Sequence, residues 1–329
     1  MKQANETAVN KNLSIKRFLH AKETPVFLVI ILMCVVLSIL TPNFLTKSNI
    51  LTTLVGLSAD GIVAIAMTVI LAMGGIDLSV GSVMGLSSMV AAKIAVGYGN
   101  IWLGALAGLL VGILVGIING LFIAKLKLTP FIMTLAMMSI AKGSSMLLSS
   151  GKSVAISKDK AAFMFLGQGY IGGVFPFLVV IFIVVAIVGN LLMKKTEMFR
   201  KVYYVGSNEK AAKLSGINVE KVKIGVYTLS GAMSAICGIL CVSRFGTATT
   251  TTGDGVEMTA ISAAVIGGAS LDGGAGSVLG AVLGIILLNI VDNGLVLLHV
   301  SVYGQDLVSG LILLIAVTMD VFSNHKKAK

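Results

Sequence analysis

Residues Thr196–Lys223, TEMFRKVYYVGSNEKAAKLSGINVEKVK, form the one long charged stretch in an otherwise apolar chain. From Lys194 to Lys223 there are eight Lys or Arg against three acids, Glu197, Glu209 and Glu220. Apolar runs long enough to cross a bilayer flank it on both sides. A loop of this charge faces the cytoplasm, where basic residues collect in membrane proteins, and there it is open to a soluble partner. Its middle predicts a short helix of about two turns, roughly 12 Å long. Ser207 is placed to cap it, Glu209 stands in the first turn where the helix dipole favours an acid, and Gly216 is placed to end it.

Working outward, the whole chain supports a membrane reading. Of 329 residues 56% are hydrophobic and only 12% charged, about half the charged share of a soluble domain. Such a chain cannot cover a water-facing surface and must lie in a lipid bilayer. The net charge of +11 does not imply nucleic acid, because basic cytoplasmic loops account for it. Cys34, Cys237 and Cys241 all fall in apolar runs, which points to inert packing and to neither a disulfide framework nor zinc. No cleavable leader is expected: the apolar run from Pro25 to Leu40 is followed by Thr41-Pro42-Asn43, not by a small-residue cleavage site.

A spanning helix needs about 20 apolar residues. The candidates are 25–41, 50–73, 76–96, 101–124, 129–148, 173–193, 223–243, 256–271, 275–298 and 302–322. The fold class expected is therefore all-α, a polytopic membrane protein of about ten helices. The organisation is a tail 1–24, a transmembrane domain 25–322 with its charged loop at 194–223, and a tail 323–329. The runs 76–96 and 256–271 are glycine-rich, so either can be a broken or half-length span, which a membrane tolerates only where protein or a watery cavity covers the backbone. With both termini inside, 18 Lys or Arg fall on the cytoplasmic side and 7 outside. This asymmetry supports cytoplasmic termini and an even number of spans.

Three patterns stand out within the spans. Gly104, Gly108, Gly112, Gly116 and Gly120 recur every fourth residue, leaving one helix face bare for close packing against other helices. Asp77 to Gly85 and Asp272 to Gly280 both fit Asp-x3-Gly-Ser-Val-x-Gly, each behind a Gly-Gly pair, a faint repeat of the kind transporters are built from. Asp60, Asp77, Asn119, Asn289, Asp292 and Asn293 are polar residues inside apolar runs, where they are costly and hence informative. Asp60 is expected near the outer surface and Asp77 as a helix cap. The segment 244–256, RFGTATTTTGDGV, reads as an outer loop. The chain holds no phosphate loop, no metal motif and no nucleophile elbow, and His20, His299 and His325 are scattered. No catalytic residue, cofactor or metal site is expected. Any driven transport must take its energy from another subunit or an ion gradient.

The segment Gly206-Ser207-Asn208-Glu209-Lys210-Ala211-Ala212-Lys213-Leu214-Ser215-Gly216-Ile217 resembles the G-x-N-x-x-A-A-x-x-S-G-I block of the permease subunits of ribose-type ABC sugar importers. Gly74 to Ser82, GGIDLSVGS, resembles a second block of that family. Ala260 to Gly268 with Gly273, Gly274 and Gly276 resembles a third. The similarity runs from about residue 25 to 322. It implies a multi-pass permease of the bacterial cytoplasmic membrane that pairs with a second permease subunit and packs on two cytoplasmic ABC ATPase subunits. An extracytoplasmic binding protein would deliver a monosaccharide. The ATPase-coupling segment maps onto Asn208, Glu209, Ala211, Ala212, Ser215, Gly216 and Ile217. An uncharged sugar needs a lining of hydroxyls and amides, and Asp77, Asn119, Thr129, Asn289 and Asn293 are the candidates. A permease for branched-chain amino acids, or a stand-alone secondary transporter using Asp77 or Asp292 as an ion relay, are the other readings of the same chain.

Overall fold

The structure is a computed structural model that describes residues 23–156 and 161–327. Of the expected tail 1–24, residues 1–22 lie outside the described residues. The apolar helices are α1 (Thr24–Leu40), α2 (Lys47–Ala72), α3 (Val80–Tyr98), α4 (Ile101–Ala124), α5 (Pro130–Ser149), α7 (Phe177–Lys195), α10 (Val219–Phe245), α11 (Val256–Ile266), α12 (Val278–Leu297) and α13 (Val302–Lys327). Between them lie the short α6 (Ala161–Gln168), α8 (Glu197–Ser207) and α9 (Glu209–Leu214). Four two-residue strands pair antiparallel as β1 (Val154–Ala155) with β4 (Thr247–Ala248), and β2 (Tyr170–Ile171) with β3 (Phe175–Pro176). The protein is all-α and polytopic. Among the described residues eight helices are long and apolar enough to cross a membrane, while α1 has 17 residues and α11 only 11.

The connections gather at two ends. At the basic end, Ser277 donates to Glu23 at 2.9 Å and the Leu271 amide donates to Asp320 at 3.1 Å. The two ends of the described chain therefore lie beside the charged loop, on the side that the charge asymmetry assigns to the cytoplasm. At the far end, Asn49 and Asn293 exchange amide hydrogen bonds of 2.9 and 2.8 Å, and α6 packs against α7 and α10.

Of the two glycine-rich runs, one spans and one does not. Val80–Tyr98 is a full 19-residue helix, preceded by a non-helical stretch from Gly75 to Ser79. The run 256–271 stops at Ile266, and its 11 residues reach about 16 Å, half the bilayer core. The segment before it, expected outside, folds inward: Thr252 O lies where a Cβ on Gly85 of α3 would fall, at 2.6 Å. Asp60, expected near the outer surface, sits midway along α2.

The core sits around α2, in which every residue from Gly61 to Ala72 is buried. The α4 glycine face packs on α3 and α10. A Cβ at Gly108 would meet Ser87 O at 2.6 Å, at Gly112 it would meet Gly231 O at 2.5 Å, and at Gly120 the Ile224 Cα at 2.7 Å. Backbone lies on backbone along this seam. Lipid tails are as apolar as Leu, so helices in a bilayer gain little from hiding apolar side chains, and close packing must hold them. Apolar side chains point outward instead, as on α13, where Leu307, Leu311, Leu314 and Ile315 are exposed.

Candidate functional site: the cytoplasmic coupling face

The charged loop holds two helices in place of the one expected. Ser207 closes the last turn of α8, and the chain breaks at Asn208, which is extended at φ −162°. Asn208 is the cap of α9: its Oδ1 accepts from the Ala211 amide at 2.9 Å. The cap moves by one residue because α8 claims Ser207. Gly216 ends α9 in the left-handed region at φ +81°. There the Gly216 amide donates to Lys213 O and the Ile217 amide to Ala212 O, both at 3.1 Å, the wrapped end that glycine permits without strain. The six residues of α9 extend about 9 Å. Lys223 Nζ donates to Glu209 at 2.7 Å and ties α9 to α10.

Exposure divides the coupling residues. Asn208, Glu209, Ala211, Ser215 and Gly216 face solvent, Ile217 is half-buried and Ala212 is buried. Leu214, on the same short helix, is 90% exposed. Sequence reading passed over it, although an apolar residue amid six charges was the available signal. A groove of about 570 Å³ runs between α8 and α9, bordered by Arg200, Lys201, Tyr204, Asn208, Ala211 and Ser215.

Behind the face, the three sequence blocks meet at Gly206. A Cβ on Gly206 would collide with Ala72 O and lie 2.7 Å from the Gly274 amide nitrogen. That Gly274 amide donates to Ala72 O at 2.9 Å. A Cβ on Gly74 would in turn lie 3.7 Å from Asp272 O. Tyr203 on α8 donates to Gly276 O at 2.8 Å, just ahead of α12. The end of α8 therefore touches the end of α2 through backbone and reaches the start of α12 through the Tyr203 side chain. The two Asp-x3-Gly-Ser-Val-x-Gly copies each follow a Gly-Gly pair and each lead into a helix. Their helix starts differ, at Val80 in the first and Val278 in the second.

The five path candidates do not converge. Asp77 is buried, and it accepts from the Ser79 amide at 2.9 Å, Ser79 Oγ at 2.6 Å and Ser230 Oγ at 2.8 Å. Asn119 Nδ2 donates to the same Ser79 Oγ at 3.0 Å. This cluster fastens the break before α3 to α4 and α10. Asn289 donates to Ile285 O of its own helix at 3.1 Å, and Asn293 is held by Asn49 at the far end. Thr129 is exposed and borders a second cavity of about 570 Å³ at the basic end, shared with Glu209, Lys213, Lys223 and Tyr227. Among the described residues no three His, Cys, Asp or Glu gather as a metal site would require.

Comparison with known proteins places the chain. Residues 49–317 match the family model described as branched-chain amino acid transport system / permease component. The ribose import permease protein of Bacillus subtilis is 40% identical over 294 residues, 89% of this chain and 91% of that one. The ribose import permease protein of Haemophilus influenzae is 37% identical over 325 residues, 98% and 99% of the two chains. The L-arabinose transport system permease protein of Escherichia coli is 40% identical over 302 residues, 92% and 90%. No solved structure matches. The apolar helices and these relatives together make the chain a multi-pass protein of the inner membrane, a transport subunit and not an enzyme by itself. It belongs to the permease components of this transport family, and within them to the sugar ABC permeases.

Proposed function

We propose that this permease passes a monosaccharide, a ribose-like pentose, a hexose or a related sugar, through the membrane as part of an ATP-driven importer. ATP is hydrolysed on separate cytoplasmic subunits that dock on α8 and α9. A second permease, identical or paralogous, completes the path, and an extracytoplasmic binding protein supplies the sugar. The observation that carries the reading is the junction at Gly206. Closure of the ATPases on ATP moves α9 as a rigid body. The contacts of Gly206 with Ala72 and Gly274 pass that motion to α2 and α12, and alternating access follows from their displacement.

The test is uptake of labelled pentose into cells lacking their own pentose permeases, with the matching ATPase and binding protein supplied. Uptake that needs ATP and is lost on changing Gly216 to Pro supports the reading, because proline cannot take φ +81°. Uptake of labelled leucine in place of pentose would move the substrate to the branched-chain amino acids that the family description names. Uptake by the chain alone in liposomes would make it a secondary transporter.

A further inference from the structure

The segment Thr249–Gly255 carries charge and open backbone to the middle of the membrane. It precedes α11, whose 11 residues put its start about 16 Å from the basic end. Lys142 on α5 lies about 18 Å along its own helix from Pro130. The two estimates agree on a depth near the midplane of a roughly 30 Å core. There Lys142 Nζ donates to Thr250 O at 2.9 Å and pairs with the Asp254 carboxylate. The Lys142 side chain is 29% exposed and that of Asp254 52%. Within the turn, the hydroxyls of Thr249 and Thr252 lie 3.0 Å apart and those of Thr249 and Thr251 3.2 Å. Thr251, Asp254 and Gly255 are exposed, as is Ser139 one turn earlier on α5.

Lipid cannot cover such a face. Exposed irregular backbone and a half-exposed ion pair at this depth are tolerated only where water or protein meets them. From this geometry we infer that the Thr249–Gly255 turn is the midpoint gate of the sugar path, latched to α5 by Lys142 and Asp254. The inference rests on the transport reading above and supplies the lining that the five sequence candidates do not form. Hydroxyls on Ser139 and Thr251 and a carboxylate at Asp254 suit a polyhydroxylated, uncharged substrate. They present acceptor oxygens to sugar hydroxyls, and the positive charge of Lys142 is already paired with Asp254. Gly253 and Gly255 shape the turn at φ +85° and +82°, and Gly253 lies against the Gly81 backbone of α3.

The test has two readouts. In a chain with Cys34, Cys237 and Cys241 changed to Ser, Thr251→Cys and Ser139→Cys are probed in membranes with a charged, membrane-impermeant thiol reagent. Leu314→Cys, on the outward face of α13, is the lipid-facing control. The gate predicts labelling about tenfold faster at Thr251 and Ser139 than at Leu314, since charged reagents need water to arrive. Equal rates would overturn it whether or not the chain imports sugar, because a dry protein contact reacts as slowly as a lipid one. The second readout is pentose uptake by Lys142→Asp, Asp254→Lys and the double exchange, at equal membrane levels. Each single change is expected to reduce uptake about tenfold by setting two like charges against each other, and the exchange to restore much of it. Singles and exchange alike at the wild-type rate would overturn the latch. A wild-type chain that imports neither pentose nor hexose refutes the transport reading, and the labelling contrast is still read.

Discussion

At the residue scale, Gly206 holds one of the tightest positions in the fold. Its surroundings are backbone on two sides, so any Cβ must push Ala72 and Gly274 apart. Overpacking of this kind costs about 1–3 kcal/mol. Gly206→Ala is expected to lower the melting temperature in detergent and to cut uptake more than it cuts ATPase binding, measured by thermal shift and co-purification on the same preparation. Asp77 offers a second contrast. Its three accepted hydrogen bonds leave Ser79 and Ser230 unpaired in Asp77→Ala, at about 1–3 kcal/mol for each group stranded. Asp77→Asn keeps an acceptor for Ser79 and can donate to Ser230 Oγ. An Asn variant that transports and melts near wild type, beside an unstable Ala variant, marks Asp77 as a fastening. An Asn variant that is stable and inactive would mark it as a proton relay.

Among the elements, α9 and its cap carry the coupling prediction. Asn208→Ala removes the acceptor for the Ala211 amide and is expected to weaken the helix start by about 1 kcal/mol, while Asn208→Asp keeps it. On the proposed docking of an ATPase at α8 and α9, Leu214, exposed on α9, is the apolar side chain offered to it. Leu214→Asp should lose the ATPase in a co-purification assay with the fold intact. The α4 seam predicts the opposite pattern. Gly112→Leu collides with α10 and should prevent stable insertion, whereas Leu114→Ala on the exposed face should be tolerated. Much at this scale was legible in the sequence. The glycine spacing names the α4 face because packing in lipid requires small residues there. The ends of the long helices follow from where apolar runs stop. The cap at Asn208 was missed by one residue, because Ser207 and Asn208 can both cap and the choice belongs to α8. The inward fold of 247–255 was missed because a threonine-rich stretch with a single acid, Asp254, reads as a solvated turn. Only its seat on Gly81 and Gly85 of α3 carries it to mid-depth.

For the molecule as a whole, the charge asymmetry and the apolar runs give the architecture, and the meeting of three distant blocks gives it a purpose. Residues 74–82, 206–217 and 260–276 are far apart in sequence and carry no catalytic chemistry. In the fold Gly74, Gly206, Gly273 and Gly274 meet at one junction at the basic end. Sequence order alone could not show this, since it depends on how α2, α8 and α12 pack. The path candidates scattered for the same reason: polarity within an apolar run identifies a costly residue, but helix-to-helix fastening accounts for Asn119, Asn293 and Asp77 as they are placed.

The most direct measurement is purification of the tagged protein in mild detergent, with mass spectrometry of what accompanies it. An ATP-binding-cassette subunit present with the wild-type chain, retained with Gly206→Ala and lost with Leu214→Asp, is the predicted result. A chain that comes away with no ATPase, or an ATPase held equally by Leu214→Asp, would contradict the claim that α8 and α9 are where this permease is driven.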